Sequence, residues 1–251
     1  MLVAVGVGAC SGQSSESTSA ADAPPTSLAT STSLESSTSF ATSTTLGTAA
    51  TDAVRVSIVG DSYTSGSAVG GNGPANWTAV ARRLLADDGY PVDLSVLGLS
   101  GSGYVRVGGT GTTFTDAIPG AVTDQTQLVV VFGSINDGSS DPAAVASSAE
   151  LALQRIDLAA PQALVMIIGP QWIDADPPAN LLAIRDAVAT AVAAHPRASF
   201  VDPLAEEWFG GAASSLIGRD GLHPTDAGHR HLAELIAPRI AAAIDTIGGG
   251  S

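Results

Sequence analysis

The sequence predicts an α/β domain with one five-stranded, mostly parallel sheet and helices on both of its faces. Two observations support this fold class. Short apolar segments rich in β-branched residues alternate with longer segments in which apolar residues recur at helical spacing. This alternation is typical of parallel strands that are connected by crossover helices. In addition, residues 52–251 are rich in Ala, Val, Leu and Ile, enough to form a single hydrophobic core.

Five segments have the pattern of β-strands. The first, Val54–Val59, is apolar apart from Arg55 and Ser57, as expected for a strand covered on both faces. The other four are Val92–Leu97, Leu128–Phe132, Ala163–Ile168 and Ala198–Val201. Because parallel strands end at the same edge of a sheet, residues that directly follow these strands are expected to come together.

Two helices are predicted from their N-terminal caps. Asn76 can cap a helix that extends to about Asp88. A second helix begins at Asp141-Pro142 and extends to about Ala159, with proline in the first turn, where its missing N–H costs nothing.

Two further helices are predicted in the second half of the chain. The earlier one is marked by Leu181, Ile184, Val188 and Val192. Thr225 can cap the last helix, which turns an apolar face inward. That face is formed by Leu232, Ile236, Ile240 and Ile244. Pro238 lies within this last helix and is expected to kink or split it.

The N-terminal region predicts an exported protein. The apolar stretch Met1–Ala9 is too short to span a bilayer and is followed by Cys10, the only cysteine. Cys10 has no disulfide partner within the chain, and its position resembles a bacterial lipoprotein processing site, where the cysteine is lipidated. We therefore expect an extracytoplasmic protein that is either membrane-anchored or secreted. A frayed apolar terminus without function is the alternative.

The composition divides the chain into four segments. Residues 1–10 form the remnant signal segment, and residues 11–51 are dominated by Ser, Thr and Ala. That composition buries too little apolar surface to offset the entropy of ordering, so residues 11–51 are predicted to be a disordered tether. The folded domain is expected at residues 52–247, followed by a flexible tail at residues 248–251.

The charge of the chain excludes one class of partner. The net charge is −14, there is no lysine, and the ten arginines are scattered. Nucleic-acid binding requires a concentrated basic face, which this distribution does not provide. The same deficit argues against electrostatic docking to anionic lipid.

Three residues have the pattern of a serine hydrolase. Ser62 directly follows the first predicted strand, the position of an exposed nucleophile whose own N–H faces an oxyanion. Asp220 precedes His223 by three residues and can orient the imidazole toward that serine. Gly101 and Asn136 also follow predicted strands and are candidate oxyanion donors together with Ser62.

Four sequence blocks carry a resemblance to a known family. They read Gly60-Asp-Ser-Tyr-Thr-Ser-Gly66, Ser100-Gly101-Ser-Gly103, Gly133-Ser-Ile-Asn-Asp137 and Asp220-Gly-Leu-His-Pro-Thr225. In this order, each after a predicted strand, they resemble the blocks of the SGNH (GDSL-type) hydrolases. The resemblance implies a flavodoxin-like α/β/α sandwich and metal-free esterase chemistry, without a cofactor. It leaves open whether Gly101 or Gly103 is the oxyanion donor.

Each of these residues also has a structural interpretation. Ser62 could cap a helix, and Asn136 could simply belong to an Asn-Asp-Gly turn. Asp61 is assigned to bracing the turn by accepting backbone N–H bonds. Three other histidines compete with His223 for the role of base, and all three are expected to be structural. They are His195, His229 and His231.

Other enzyme classes lack their sequence signatures. The chain has no Gly-x-Ser-x-Gly elbow, no Gly-x-Gly-x-x-Gly after the first strand and no His-Glu-x-x-His. The sequence therefore predicts a monomeric serine esterase that acts on an acyl ester through an acyl-enzyme intermediate, on a cell-envelope glycan or lipid. Gln171 and Trp172, which follow the fourth strand, are expected to line its substrate pocket. A non-catalytic envelope-binding module with the same fold is the alternative.

Overall fold

The computed structural model describes residues 53–249. The predicted lipidation site Cys10 and the predicted tether at residues 11–51 lie outside this range. The part that is described contains the whole of the predicted sheet and the four sequence blocks.

The sheet has five parallel strands, as predicted. They are β1 (Val54–Gly60), β2 (Val92–Gly98), β3 (Leu128–Phe132), β4 (Leu164–Ile168) and β5 (Ala198–Val201). Their order across the sheet is β2-β1-β3-β4-β5, and every neighbouring pair is parallel. Gly60 pairs in register with Gly98 and with Phe132, so β1, β2 and β3 end at the same level. The segments that follow these three strands are therefore neighbours at one edge.

Six α-helices accompany the sheet in the described residues. They are α1 (Ser62–Ser65), α2 (Trp77–Asp87), α3 (Phe114–Ala121), α4 (Pro142–Ala159), α5 (Ala179–Ala193) and α6 (Asp226–Gly249). Short 3-10 turns lie at Gly73–Ala75, Ile135–Asp137 and Gly211–Leu216. The predicted caps are present, since the side chains of Asn76, Asp141 and Thr225 accept backbone N–H bonds at the starts of α2, α4 and α6.

Two features of the helices differ from expectation. The sequence did not predict α3, whose cap is the side chain of Thr113. The last helix is not split at Pro238 but continues to Gly249, and Pro238 lies on its exposed side. A proline on the solvent side leaves the buried face of the helix intact, so packing against the sheet holds the helix together.

The core consists of two clusters, one on each face of the sheet. Helices α3, α4 and α5 pack on one face, and α2 and α6 pack on the other. The alternation of β3 side chains shows this directly, because Val129 and Val131 contact the first cluster while Val130 and Phe132 contact the second. The molecule is therefore a three-layer α/β/α sandwich, which confirms the predicted fold class. Within residues 53–249, no helix combines the length and the apolar character that a membrane span requires.

Candidate active site

The predicted nucleophile lies where β1 ends. Ser62 is the first residue of the short helix α1, and Asp61 caps this helix by accepting the Tyr63 N–H through Oδ1 at 2.9 Å. The sharp turn from strand to helix keeps the Ser62 side chain partly exposed while its two neighbours are buried. Asp61 thus has the bracing contact that was assigned to it.

The other two predicted residues meet Ser62 from the loop that precedes α6. His223 Nε2 lies 2.9 Å from Ser62 Oγ, and His223 Nδ1 lies 2.8 Å from Asp220 Oδ2. The second Asp220 oxygen accepts the backbone N–H groups of Leu222 at 3.1 Å and His223 at 3.0 Å. The structure therefore brings the serine, the histidine and the aspartate into one hydrogen-bonded row.

These contacts also set the charge of Asp220. Its hydrogen bond to the His223 ring, followed by the one from the His223 backbone, lowers the pKa of this carboxyl to about 2. Asp220 is consequently ionised at neutral pH. An ionised carboxylate at Nδ1 keeps the ring proton on that nitrogen and leaves Nε2 as the acceptor toward Ser62.

Tyr63 fixes the histidine loop to the nucleophile turn, a role that the sequence analysis missed. Its hydroxyl donates to the Leu222 carbonyl oxygen at 2.6 Å. Its fully buried ring packs edge-on against Phe132 and Phe209, and the centroid of the His223 ring lies 6.4 Å away. Burial, the largest cause, holds the pKa of Tyr63 well above its usual value. The tyrosine therefore stays a neutral donor, and the clue in the sequence is a bulky aromatic residue directly after the serine.

Two backbone donors are available for an oxyanion. Among the described residues, the N–H groups of Ser62 and Gly101 have no protein acceptor. The N–H of Gly103, by contrast, donates to the Arg106 carbonyl oxygen at 3.0 Å. Of the two glycines that the sequence left open, the geometry therefore favours Gly101, which has a left-handed backbone with φ of 75°.

Asn136 connects the loops after three strands. It lies in the 3-10 turn after β3, and its Nδ2 donates to the Ser102 carbonyl oxygen at 2.9 Å and to Asp61 Oδ2 at 3.2 Å. Both amide protons thus have protein acceptors in this structure. To bind an oxyanion as predicted, the amide would share or exchange the longer of these bonds.

Asp61 is a buried carboxyl group in direct contact with Asn136. No part of its surface is exposed to solvent. Burial is the main reason why its pKa is raised to about 7, and the nearby Asp137 raises it further. A titratable group is therefore hydrogen-bonded to a candidate oxyanion donor.

The two predicted substrate residues have different environments. Gln171 is fully buried, so it does not line an open pocket, and this part of the expectation is corrected. It lies inside because its side chain is next to the buried hydroxyl of Tyr63. Trp172 is partly exposed and lines a cavity of about 200 Å³ between the loops that follow β4 and β5. None of the three residues of the row lines this cavity.

The competing histidines do not contact Ser62. His195 bonds to Asp157 at the opposite edge of the sheet, with Nε2 and Oδ2 2.9 Å apart. His231 bonds to the Trp208 carbonyl oxygen at 2.8 Å. His229 is fully buried between α6 and the segment before α2, and burial lowers its pKa to about 4. In residues 53–249, no three His, Cys, Asp or Glu side chains form a group that could hold a metal ion.

Comparison with known proteins identifies the family. The model of the GDSL-like lipase/acylhydrolase family matches residues 58–231. A GDSL lipase of Mycobacterium tuberculosis is 43% identical over 189 residues, which cover 74% of this chain and 81% of the relative. The crystal structure of a lipase/acylhydrolase from Enterococcus faecalis has a TM-score of 0.60 at 20% identity, over 74% of this chain and 95% of that chain. A Clostridium thermocellum family 3 carbohydrate esterase has a TM-score of 0.61 at 17% identity, over 77% and 98%. The chain therefore belongs to the GDSL-like lipase/acylhydrolase family and is a carboxylic ester hydrolase.

Proposed function

We propose that the protein is a serine esterase in which Ser62 is the nucleophile, His223 the general base and Asp220 the group that orients and stabilises the imidazolium. The row of hydrogen bonds from Ser62 through His223 to Asp220 is the observation that carries this proposal. It supplies an activated hydroxyl, a base within reach of it and a fixed tautomer of that base.

The reaction would proceed in two halves. Ser62 Oγ attacks the acyl carbonyl while its proton passes to His223 Nε2, and the carbonyl oxygen becomes an oxyanion. The N–H groups of Ser62 and Gly101, together with the Asn136 amide, bind this oxyanion. The imidazolium then protonates the departing alcohol, which leaves an acyl-enzyme. Water attacks the acyl-enzyme by the same proton route and releases the acid, so no metal or cofactor takes part.

For the substrate, we propose an acyl ester of a cell-envelope glycan or lipid. The sequence supports an extracytoplasmic, monomeric enzyme that is anchored through lipidated Cys10. The cavity beside Trp172 lies at the edge of the sheet where Ser62 lies, and it combines apolar walls with the charged side chains of Asp174, Arg185 and Glu207. This lining suits the larger, partly polar portion of such an ester.

The test is turnover of short-chain p-nitrophenyl esters, combined with labelling by a fluorophosphonate probe. Ser62→Ala is expected to abolish labelling and to lower kcat by at least about 10³-fold, since the nucleophile is lost. Asp220→Asn is expected to cost less than Ser62→Ala, because the nucleophile and the oxyanion donors remain.

The matched control is Ser139→Ala. Ser139 is an exposed serine near the same edge of the sheet and makes no side-chain hydrogen bond within the described residues, so its loss should leave both readouts unchanged. Thermal unfolding establishes that each variant is folded. Wild-type turnover in Ser62→Ala would refute the assignment, and an inert wild-type protein would favour the non-catalytic binding module.

A further inference from the structure

Asp137 is a buried carboxylate with four hydrogen-bond donors. Its Oδ2 accepts from the Tyr104 N–H at 2.7 Å and from Ser134 Oγ at 2.9 Å. Its Oδ1 accepts from the N–H groups of Val105 at 3.1 Å and Arg106 at 2.8 Å. Three successive backbone N–H groups that converge on one anion form a nest, and bonds to an ionised acceptor are stronger than neutral ones.

The backbone beside this nest has a glycine, Gly103, where the Asp137 carboxylate comes closest. A Cβ atom on Gly103 would lie 2.2 Å from Asp137 Oδ2, far inside van der Waals contact. Any residue other than glycine at position 103 would therefore displace the carboxylate or the loop. The close approach requires glycine here for a reason unrelated to oxyanion donation.

The nest is connected to the candidate oxyanion donor by short links. Gly103 donates its N–H to the Arg106 carbonyl oxygen at 3.0 Å, which closes the segment on itself. Between Gly101 and Gly103, the Ser102 carbonyl oxygen accepts from the Asn136 amide. Gly101 therefore lies in a loop that residues 136 and 137 hold at two points, one through a side-chain amide and one through a carboxylate.

Asp137 itself contacts none of the three residues of the row. It is completely buried, and every donor that its oxygens meet belongs either to its own turn or to the loop after β2. Any effect of Asp137 on the reaction must therefore pass through that loop. A misplaced oxyanion donor lowers the rate of the chemical step, because the donor acts only at the position where negative charge develops in the transition state.

We propose that Asp137 is a positioning residue, which fixes the N–H of Gly101 in the oxyanion hole by anchoring the backbone of Tyr104–Arg106. This inference rests on the proposed function, in which Gly101 binds the oxyanion. It predicts that weakening the nest impairs the chemical step and leaves ground-state binding of the substrate intact.

The main variant is Asp137→Asn, which keeps the shape of the side chain but turns one acceptor into a donor that faces N–H groups. We expect kcat on p-nitrophenyl esters to fall about 10- to 100-fold, with KM within about twofold of wild type. Gly103→Ala is expected to reproduce this split between kcat and KM. Because both changes disturb the same nest, the double variant should lose little more than either single one.

Two controls separate positioning from general destabilisation. Asp157→Asn removes a carboxylate that binds His195 and Arg197 at the opposite edge of the sheet, so it should lower the unfolding temperature without changing kcat. Gly109→Ala changes a glycine of the same loop whose Cβ would meet nothing within 4 Å, and it should leave kcat at the wild-type value.

The outcomes are distinct. A folded Asp137→Asn variant with wild-type kcat would overturn the inference, provided that Ser62→Ala is inactive. If Ser62→Ala is active, the proposed function fails first. If Asp137→Asn does not fold, Ser134→Ala takes its place in the test, because it removes only one of the four hydrogen bonds to Asp137. A severalfold fall in its kcat at unchanged KM would support the inference, and a wild-type kcat would overturn it.

Discussion

The carboxyl group of Asp61 couples pH to folding at a single residue. It is buried next to the nucleophile, where it accepts from the Tyr63 N–H and from Asn136. Its pKa is raised from 3.8 to about 7, mainly by burial. Because the pKa in the folded protein exceeds that in the unfolded chain, protonation of Asp61 favours the folded state.

The sign of this effect gives the first prediction. The contribution of Asp61 to stability is complete below about pH 4 and is lost as the pH rises through about 7. Asp61→Asn removes this titration, so its free energy of unfolding should fall less between these two pH values than that of wild type. Urea denaturation at several pH values measures the difference. Parallel curves for the two proteins would contradict the prediction.

At the residue scale, the residues that belong to sequence motifs were predicted. The roles that depend on contacts between distant parts of the chain were missed. The proximity of Ser62, Asp220 and His223 was predicted from their order and their positions after strands, and the structure places them in contact. The role of Asp137 was not predicted, because Asn-Asp-Gly has the pattern of a turn and three of its four donors lie more than thirty residues away. The burial of Gln171 was missed as well, since no local pattern in the sequence indicates it.

Among the secondary-structure elements, strands were easier to predict than short helices. β3 was predicted without error because its apolar run of five residues is too short for a helix and is rich in β-branched valine. α3 was missed because it is short, contains Pro119 and follows a segment rich in Gly and Thr. One local signal was present: Thr113 accepts the Asp116 N–H at 3.1 Å, the pattern of a helix start with an acidic residue three positions on.

The segment before α2 contacts the buried face of α6 through a glycine and a histidine. Gly71 has a φ of 76°, and a Cβ atom there would lie 1.9 Å from His229 Nε2. The ring of His229 is buried, and its Nδ1 accepts the Trp77 N–H at 3.4 Å. The ring therefore takes the space that a side chain at position 71 would need.

Gly71→Ala is predicted to destabilise the fold strongly, because it adds this clash to the strain of a positive φ. Gly73 is the matched control, since it also has a positive φ, 55°, but a Cβ there would meet nothing within 4 Å. Gly73→Ala should cost only the backbone strain, about 1 kcal/mol, and Gly71→Ala should cost several times more. Urea denaturation measures both, and equal losses would contradict the role of His229.

At the scale of the whole molecule, the part of the chain that the structure describes holds the sheet, its core and the proposed site together. Residues 54–249 contain all five strands and both core clusters. They also contain the hydrogen-bonded row of Ser62, His223 and Asp220. A form that begins at Thr51 is therefore expected to match the kcat/KM of the full chain on a soluble ester. Lower activity of this shorter form, at equal folded fraction, would show that the N-terminal residues contribute to the site.

The same division predicts where the protein is found in its host. If Cys10 carries lipid, Cys10→Ala should move the protein from the membrane fraction to the soluble fraction without changing the specific activity. Fractionation and activity assays measure this. An unmodified Cys10 thiol in a wild-type protein that already fractionates as soluble would contradict the anchor.

In the proposed mechanism, the contact between His223 and Ser62 also determines when the enzyme can first act. The two residues are 161 positions apart, and the tie from Tyr63 to Leu222 spans a similar length. Both contacts close a loop that contains most of the sheet. Such distant contacts form late in folding, because the chain must lose the entropy of loop closure before the contacts can stabilise it. During synthesis from the N-terminus, Ser62 therefore remains without its proposed base until His223 has left the ribosome. A chain that ends before His223 is therefore expected to be inert toward esters, whereas a chain shortened only at its N-terminus keeps the pair.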